Sequence, residues 1–340
     1  MMDQFMEIKH EHPGTILFFR MGDFYELFHE DAEIAAPVLG LALTSRDKNA
    51  EHPIPMAGFP WHALEDNLKI MLKSGFKVTV AEQEQELREG AKLLERIVTR
   101  IYTPGSLYEE SLLSTDDRSV LSSIILAKSS LSMAIIDSST GESWASTWDG
   151  DARFSSLEDE LLRWNPAEIV ISKKDSENEQ LCAIFANLGN CVISQHNANK
   201  RRSVERLETM LEVSDLGHLD LDGSPLSIEA AGFAADYLAE VHFKDDIPIR
   251  DLQIVEDTGH LVVDQTTLRN LEITSTLSGE YEGSLISSMN YCRTAMGRRQ
   301  LKTWLLRPLY QIEAIELRHN AVKILKSSSK RLDMLRQNLT

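Results

Sequence analysis

The chain has 340 residues, 42% of them hydrophobic, and a formal net charge of −18, which is enough for two or three domains with their own cores. No run of about eighteen apolar residues occurs, and Met1-Met-Asp-Gln-Phe5 lacks a basic-then-apolar leader pattern, so no membrane partner and a cytoplasmic location are expected. Net acidity taken alone argues against a nucleic-acid binder, but the charge is segregated: −6 over 1–105, −20 over 106–290 and +8 over 291–340. Cys182, Cys191 and Cys292 show no Cys-x-x-Cys spacing and read as small core residues in a reducing compartment. The ten His residues make no ligand pattern, and no metal is assigned.

Residues 2–11 space Met2, Phe5, Met6 and Ile8 near the helical period and stop at Pro13-Gly14. Ile16 to Phe19 is a β-favouring run and predicts a buried strand, and Gly22-Asp23 is a turn signal. Phe24-Tyr-Glu-Leu-Phe28 then alternates as a second extended segment, with Phe24, Glu26 and Phe28 on one face and Tyr25 and Leu27 on the other. An aromatic ring thus stands two positions from a carboxylate, beside a turn.

The string Phe18-Phe-Arg-Met-Gly-Asp-Phe-Tyr-Glu-Leu-Phe28 resembles the amino-terminal motif of the MutS family of bacterial mismatch-repair proteins. The resemblance implies that Phe24 is wedged into duplex DNA from the minor groove at a mispair, and that Glu26 hydrogen-bonds the displaced base. Elementary physics agrees with those roles. Unstacking a base step costs about a few kcal/mol, and least where pairing is already defective. A mispaired site is also easier to kink. A carboxylate among phosphates is repelled unless an unpaired base offers it a proton or donor, so it penalises intact duplex more than mispaired duplex.

His29 to Leu39 predicts a helix with Ala32, Ala35, Ala36 and Leu39 inward and Gly40 at its end. Thr44 to Gly58 is polar with two prolines and reads as a surface loop. Its Leu43-Thr-Ser-Arg46 and Pro53-Ile-Pro-Met-Ala-Gly58 also resemble the family pattern. Arg20, Thr44, Arg46, Lys48 and Thr103 are candidate phosphate contacts, and Met21 and Met56 candidate apolar contacts in the minor groove. His62 to Ser74 is amphipathic, with Leu64, Leu68, Met71 and Leu72 inward, and ends at Gly75. Phe76, Val78 and Val80 alternate as a strand before Ala81-Glu-Gln83, where the family usually has Cys in place of Ala81. Val98 to Gly105 closes a small mixed α/β domain.

Residues 106–118 are hydrophilic and are read as a linker, followed by a connector domain over 119–245. Val120–Leu126, Leu131–Asp137 and Glu142–Thr147 predict three adjacent strands, followed by an acidic helix over Leu157–Trp164, a short strand Ile169–Ile171 and helical segments to about residue 241. The resemblance implies a ribonuclease-H-like fold here. Asp137 ends an apolar strand, as a nuclease metal ligand would, with Glu142, Asp159 and Glu160 as nominal partners; no ordered motif links them. A strand-ending Asp before a tight turn is the favoured reading.

Residues 246–340 read as the start of an all-helical core or lever domain. Asp264 is a candidate N-cap for a helix over Gln265–Leu277, ended by Gly279. Arg269–Thr274 and Thr294–Pro308 resemble further MutS signatures, with Met296, Leu301, Trp304 and Leu305 spaced as core and Pro308 as a stop. Ile312 to Leu325 is another amphipathic helix. No Gly-x-x-x-x-Gly-Lys-[Ser/Thr] occurs, so these residues supply no P-loop for ATP and no catalytic site is assigned. ATP and Mg²⁺, a homodimer and a MutL-type partner are what the resemblance implies for the full-length family, and a fragment carrying its amino-terminal portion is expected. The reading is therefore a module that senses mismatched double-stranded DNA. The alternatives are a metal-dependent ribonuclease-H-like nuclease and a protein-interaction scaffold without DNA binding.

Overall fold

The computed structural model describes residues 1–339 except 46–51, 85–93, 110, 111, 113–118, 214, 215, 217–224, 244–248, 256–259, 262 and 264. Two compact units emerge: Met1–Ser114, Arg118–Leu157 and Trp164–Ile254 form one; Thr115–Asp117, Glu158–Arg163 and Val255–Thr340 the other.

The first unit opens with helix α1 (Met2–Glu11), the hairpin β1 (Ile16–Met21) and β2 (Phe24–Phe28), and helix α2 (His29–Leu39). Then come β3 (Thr44–Ser45), β4 (Pro55–Pro60), a 3₁₀ turn over Trp61–Ala63, α3 (Leu64–Lys73), β5 (Val78–Gln83) and β6 (Arg96–Tyr102). The six strands make one mixed sheet in the order β3-β4-β2-β1-β5-β6, with β1 antiparallel to β2 and parallel to β5. Central β1 is buried on both faces, which explains its unbroken apolar run. Leu17 and Phe19 pack with Phe5 and Ile8 of α1, while Ile16 and Phe18 pack with α2 and α3. Asp31 of α2 crosses to this layer, where it accepts hydrogen bonds from Lys9 Nζ at 2.5 Å and the Leu17 N–H at 2.9 Å.

Two expectations fail in this region. The stretch Thr44–Gly58 is not simply a surface loop, because Thr44–Ser45 and Pro55–Gly58 belong to strands. Pro55 and Pro60 sit at the two ends of β4, where a missing N–H is tolerated, so the prolines bound a strand instead of excluding one. Nor is the segment after Gly105 simply solvated: Ser106 is buried, and Leu107 and Leu112 join the first core. The Leu107 N–H donates to Ser119 Oγ at 2.8 Å, anchoring the segment locally.

A second mixed sheet in the same unit contains β7 (Val120–Leu126), β8 (Ser130–Asp137) and β9 (Glu142–Asp149) as an antiparallel meander. Helix α4 (Arg153–Trp164) leads to β10 (Glu168–Ile171), α5 (Glu179–Phe185), β11 (Val192–Gln195), α6 (Lys200–Met210), α7 (Pro225–His242) and β12 (Asp251–Ile254). The strand order is β11-β10-β7-β8-β9-β12, with β10 parallel to β7 and β12 parallel to β9. The mixed α/β connector is thus present, with the four-residue strands β11 and β12 added to the predicted set. Helix α7 packs its small residues Ala230, Ala231, Ala234 and Ala235 in the sheet's core cluster. Gly232 keeps the approach to α6 close, since a Cβ there would lie 3.0 Å from Ser203 O.

The second unit is helical, as predicted, with α8 (Gln265–Asn270), α9 (Leu285–Met289), α10 (Ala295–Leu306), α11 (Ile312–Lys326) and α12 (Ser329–Leu339). The helix expected over Gln265–Leu277 ends at Asn270, and its proposed cap Asp264 lies outside the described residues. Glu272 adopts a left-handed φ of 49°, and its carboxylate accepts from the Leu277 N–H at 2.7 Å, a local side-chain bond that replaces the helical ladder. Helix α10 is capped by Thr294, whose hydroxyl accepts from the Gly297 N–H at 3.0 Å. Its stripe is only partly core: Leu301 and Leu305 are half-buried, whereas Met296 and Trp304 are exposed. The Trp304 ring instead carries the Arg318 guanidinium, 4.2 Å from its centroid.

Among the described residues no helix is long and apolar enough to cross a membrane. The cysteines are less buried than predicted: Cys182 is exposed, Cys191 and Cys292 half-buried.

Candidate nucleic-acid interface

The β1–β2 hairpin turns on Gly22-Asp23, with Met21 directly opposite Phe24, so two residues make the connection. Gly22 has φ +61°, the left-handed conformation such a tight turn requires and glycine adopts without strain. Alternation then puts Phe24, Glu26 and Phe28 on one face, as predicted; α1 packs on that face at Phe28. Phe28 packs edge-on against Phe5 of α1, with centroids 5.2 Å apart. Phe24, at the turn end, is 44% exposed. On the opposite face Tyr25 and Leu27 are buried in the core with α2 and α3.

Three further residues fix the turn, two through side chains and one through its backbone. Gln83 Oε1 accepts from the Gly22 N–H at 3.2 Å and from Arg96 Nη2 at 3.3 Å, and Arg96 Nε donates to Arg20 O at 3.3 Å. The Trp61 N–H donates to Asp23 O at 2.9 Å, tying the end of β4 to the same turn. Neither Gln83, Arg96 nor Trp61 was singled out from the sequence. Their roles depend on strand neighbours far apart in the chain, and the signals were limited to the adjacency of Trp61 to the Pro-rich string and the place of Gln83 in Ala81-Glu-Gln83.

Glu26 is half-buried and lies opposite Gly58 of β4. Its carboxylate occupies the space that a side chain at position 58 would take: an added Cβ there would stand 2.5 Å from Glu26 Oε2.

The other predicted contacts are distributed unevenly. Met21 and Met56 are half-buried and flank the α1-side cluster, on the face that carries Phe24. Arg20 is on the opposite face, its guanidinium 5.3 Å from the centroids of both Tyr25 and Trp61. There the Tyr25 hydroxyl donates to Glu82; burial, and then that carboxylate, push the phenol well above its usual range. A groove lined by Arg20, Tyr25, Trp61, Glu65, Glu82 and Glu84 opens beside them, and its three carboxylates make it a poor seat for phosphate. Thr44 is exposed on β3, with its hydroxyl donating to Met56 O at 3.1 Å. Arg46 and Lys48 lie outside the described residues. Thr103 is fully buried, its hydroxyl 2.8 Å from Ser106 Oγ, so it presents no surface to a phosphate and serves the Thr-Pro-Gly turn instead.

Two of the carboxylates nominated for a nuclease, Asp137 and Glu160, are engaged structurally. Asp137 is buried, and its Oδ1 accepts from the N–H of Ser139 at 3.1 Å and the hydroxyl of Ser139 at 2.5 Å, holding the β8–β9 turn. Glu160 is paired with Arg163 and Arg307. Among the described residues no three His, Cys, Asp or Glu side chains gather as a metal site.

The exposed aromatic on a braced hairpin and the seated carboxylate thus stand on a mixed sheet that a second mixed sheet follows in the chain. Family models agree along the chain: MutS domain I matches residues 1–111, MutS domain II residues 119–246 and MutS domain III residues 266–340. The chain belongs to the MutS family. It is 37% identical over 334 residues to the DNA mismatch repair protein MutS of Syntrophomonas wolfei, covering 96% of this chain and 39% of that protein. It is 34% identical to the proteins of the same name from Caldanaerobacter subterraneus and Halothermothrix orenii, over 95% and 100% of this chain and 37% and 38% of theirs. The chain thus spans about two-fifths of the length of these curated relatives.

Proposed function

We propose that this chain senses mispaired double-stranded DNA by inserting Phe24 from the minor groove into a base step weakened by the mispair, with Glu26 accepting a hydrogen bond from the displaced base. The observation that carries this reading is the contrast on one strand face, with Phe28 buried and Phe24 44% exposed at the tip of a braced turn. A ring in that position can reach a groove without unfolding anything. Inserting it costs about a few kcal/mol of stacking, which a mispaired step has already partly lost. The bend that accompanies insertion is likewise cheaper at such a step. Glu26 adds a penalty against intact duplex, where its charge meets phosphate repulsion without a compensating bond to a displaced base.

Met21 and Met56 supply apolar surface beside the ring, Thr44 supplies a hydroxyl, and Arg46 and Lys48 remain candidates for phosphate. Thr103 has no part in the proposal. The residues of this chain do not fit a P-loop, so no step passes through ATP or Mg²⁺. Nucleotide turnover, dimerisation and recruitment of a MutL-type partner are proposals for the whole protein.

The test is an anisotropy titration with two otherwise identical duplexes, one fully paired and one carrying a single mispair. Wild type is expected to prefer the mispair, and Phe24→Ala to bind both duplexes equally and weakly. Undiminished preference in Phe24→Ala would overturn the wedge role.

A further inference from the structure

We infer that Gly58 is a specificity-determining positioning residue: the side-chain-free position on β4 is the seat that holds the Glu26 carboxylate in place. This rests on the reading of Glu26 just given and extends it to a second strand. The two residues are direct partners in the β2–β4 register, with Tyr25–Phe59 and Leu27–Ala57 on either side. A Cβ at position 58 would come within 2.5 Å of Glu26 Oε2 and 2.9 Å of its Cδ, distances no real carbon contact sustains. The next contact is Tyr25 O at 3.0 Å, which a shift of a few tenths of an ångström relieves.

The Gly58 backbone is not in the left-handed region, so conformation alone does not demand glycine there. What demands it is the carboxylate. The strand could accept alanine with little disturbance of its ladder, but the flexible end of Glu26 would have to leave. A carboxylate seated on the sheet stands at a fixed depth relative to the exposed ring two residues earlier. Once unseated, it meets an approaching groove from a variable position, and both the bond to a displaced base and the penalty on intact duplex are blurred. Pre-organisation of this kind acts on discrimination more than on folding.

The experiment measures Kd for paired and mispaired duplexes with the full chain as wild type, Gly58→Ala, Glu26→Ala and the double variant, with a thermal melt of each. Gly58→Ala is expected to melt close to wild type and to lower the mispair-to-paired affinity ratio about tenfold, the scale of one charge-assisted hydrogen bond. In the Glu26→Ala background the same change is expected to leave the ratio unaltered, because the seat then has no occupant. An equal effect with and without the Glu26 carboxylate, or a wild-type ratio in Gly58→Ala, would overturn the inference. Should Gly58→Ala fail to fold, Glu26→Asp keeps glycine at 58 but shortens the arm. It is expected to lose the ratio likewise, and a wild-type ratio there would overturn the seat. The Phe24→Ala arm reports separately on the wedge: a seat that fails while Phe24→Ala abolishes preference leaves the sensing reading intact. A wild type that binds both duplexes equally removes both.

Discussion

Phe24 and Phe28 share one face of one strand, four residues apart, and meet opposite fates. Phe28 is covered by Phe5, while Phe24 lies at the open end of the same face, though burying such a ring is worth about 1.5–3 kcal/mol. Single exposed apolar residues are common, so exposure alone argues little. The argument comes from its setting at a turn fixed by Gln83, Arg96 and Trp61, two residues from a seated carboxylate. Alternation made the shared face of Phe24, Glu26 and Phe28 legible in the sequence. The glycine opposite Glu26 was not, because register between β2 and β4 is set by pairing across some thirty residues of chain. At this scale Glu26→Ala is expected to raise affinity for fully paired duplex by up to about tenfold, roughly 1.4 kcal/mol of repulsion removed. A weaker paired complex in the same titration would contradict the repulsion argument.

Elements were readable where one period dominated. The helices α1, α2 and α3 and the strands β7, β8 and β9 fall close to their predicted places, because their apolar spacing and terminal glycines act locally. Strands β3, β4, β11 and β12 were missed: β3, β11 and β12 have four residues or fewer, β4 is bounded by prolines, and pairing, not propensity, makes each a strand. Asp31 shows how elements are tied together: it is buried in α2 and linked to Lys9 of α1 and the Leu17 N–H of β1. Burial raises its pKa above the ordinary 3.8, and the Lys9 and Leu17 bonds only partly oppose that. With the folded pKa above the unfolded one, the folded state holds this proton more tightly. The stability Asp31 contributes is therefore complete below 3.8 and declines as pH rises through the folded value. In urea unfolding, wild type is expected to lose stability relative to Asp31→Asn as pH rises through the folded value; a relative gain for wild type would contradict the assignment.

Over the whole molecule, the first unit joins its two sheets through a buried polar junction that no motif announced. Glu168 of β10 is fully buried and accepts from the Tyr237 hydroxyl at 2.6 Å, the Gly105 N–H at 3.2 Å and the Ser194 hydroxyl, with Lys77 Nζ 3.3 Å away. Burial, and then Glu168, hold the Tyr237 phenol well above its usual range. These partners lie up to 160 residues apart, too far for any local pattern to reveal, and Glu168 read only as the residue before a short strand. Glu168→Ala is expected to destabilise the chain by about 2–4 kcal/mol, since it strands several buried donors at once. An unchanged urea midpoint would show that the junction contributes nothing. The family's string around Phe24 was legible because its residues are contiguous; its supports were not, because folding gathers them from β4, β5, β6 and the 3₁₀ turn after β4. The most direct measurement of the central claim places a fluorescent adenine analogue beside the mispair and follows its unstacking as protein is added. Emission is expected to rise with wild type on the mispaired duplex, and to stay flat with Phe24→Ala or on the fully paired duplex. An equal rise with Phe24→Ala would show that some other group opens the step.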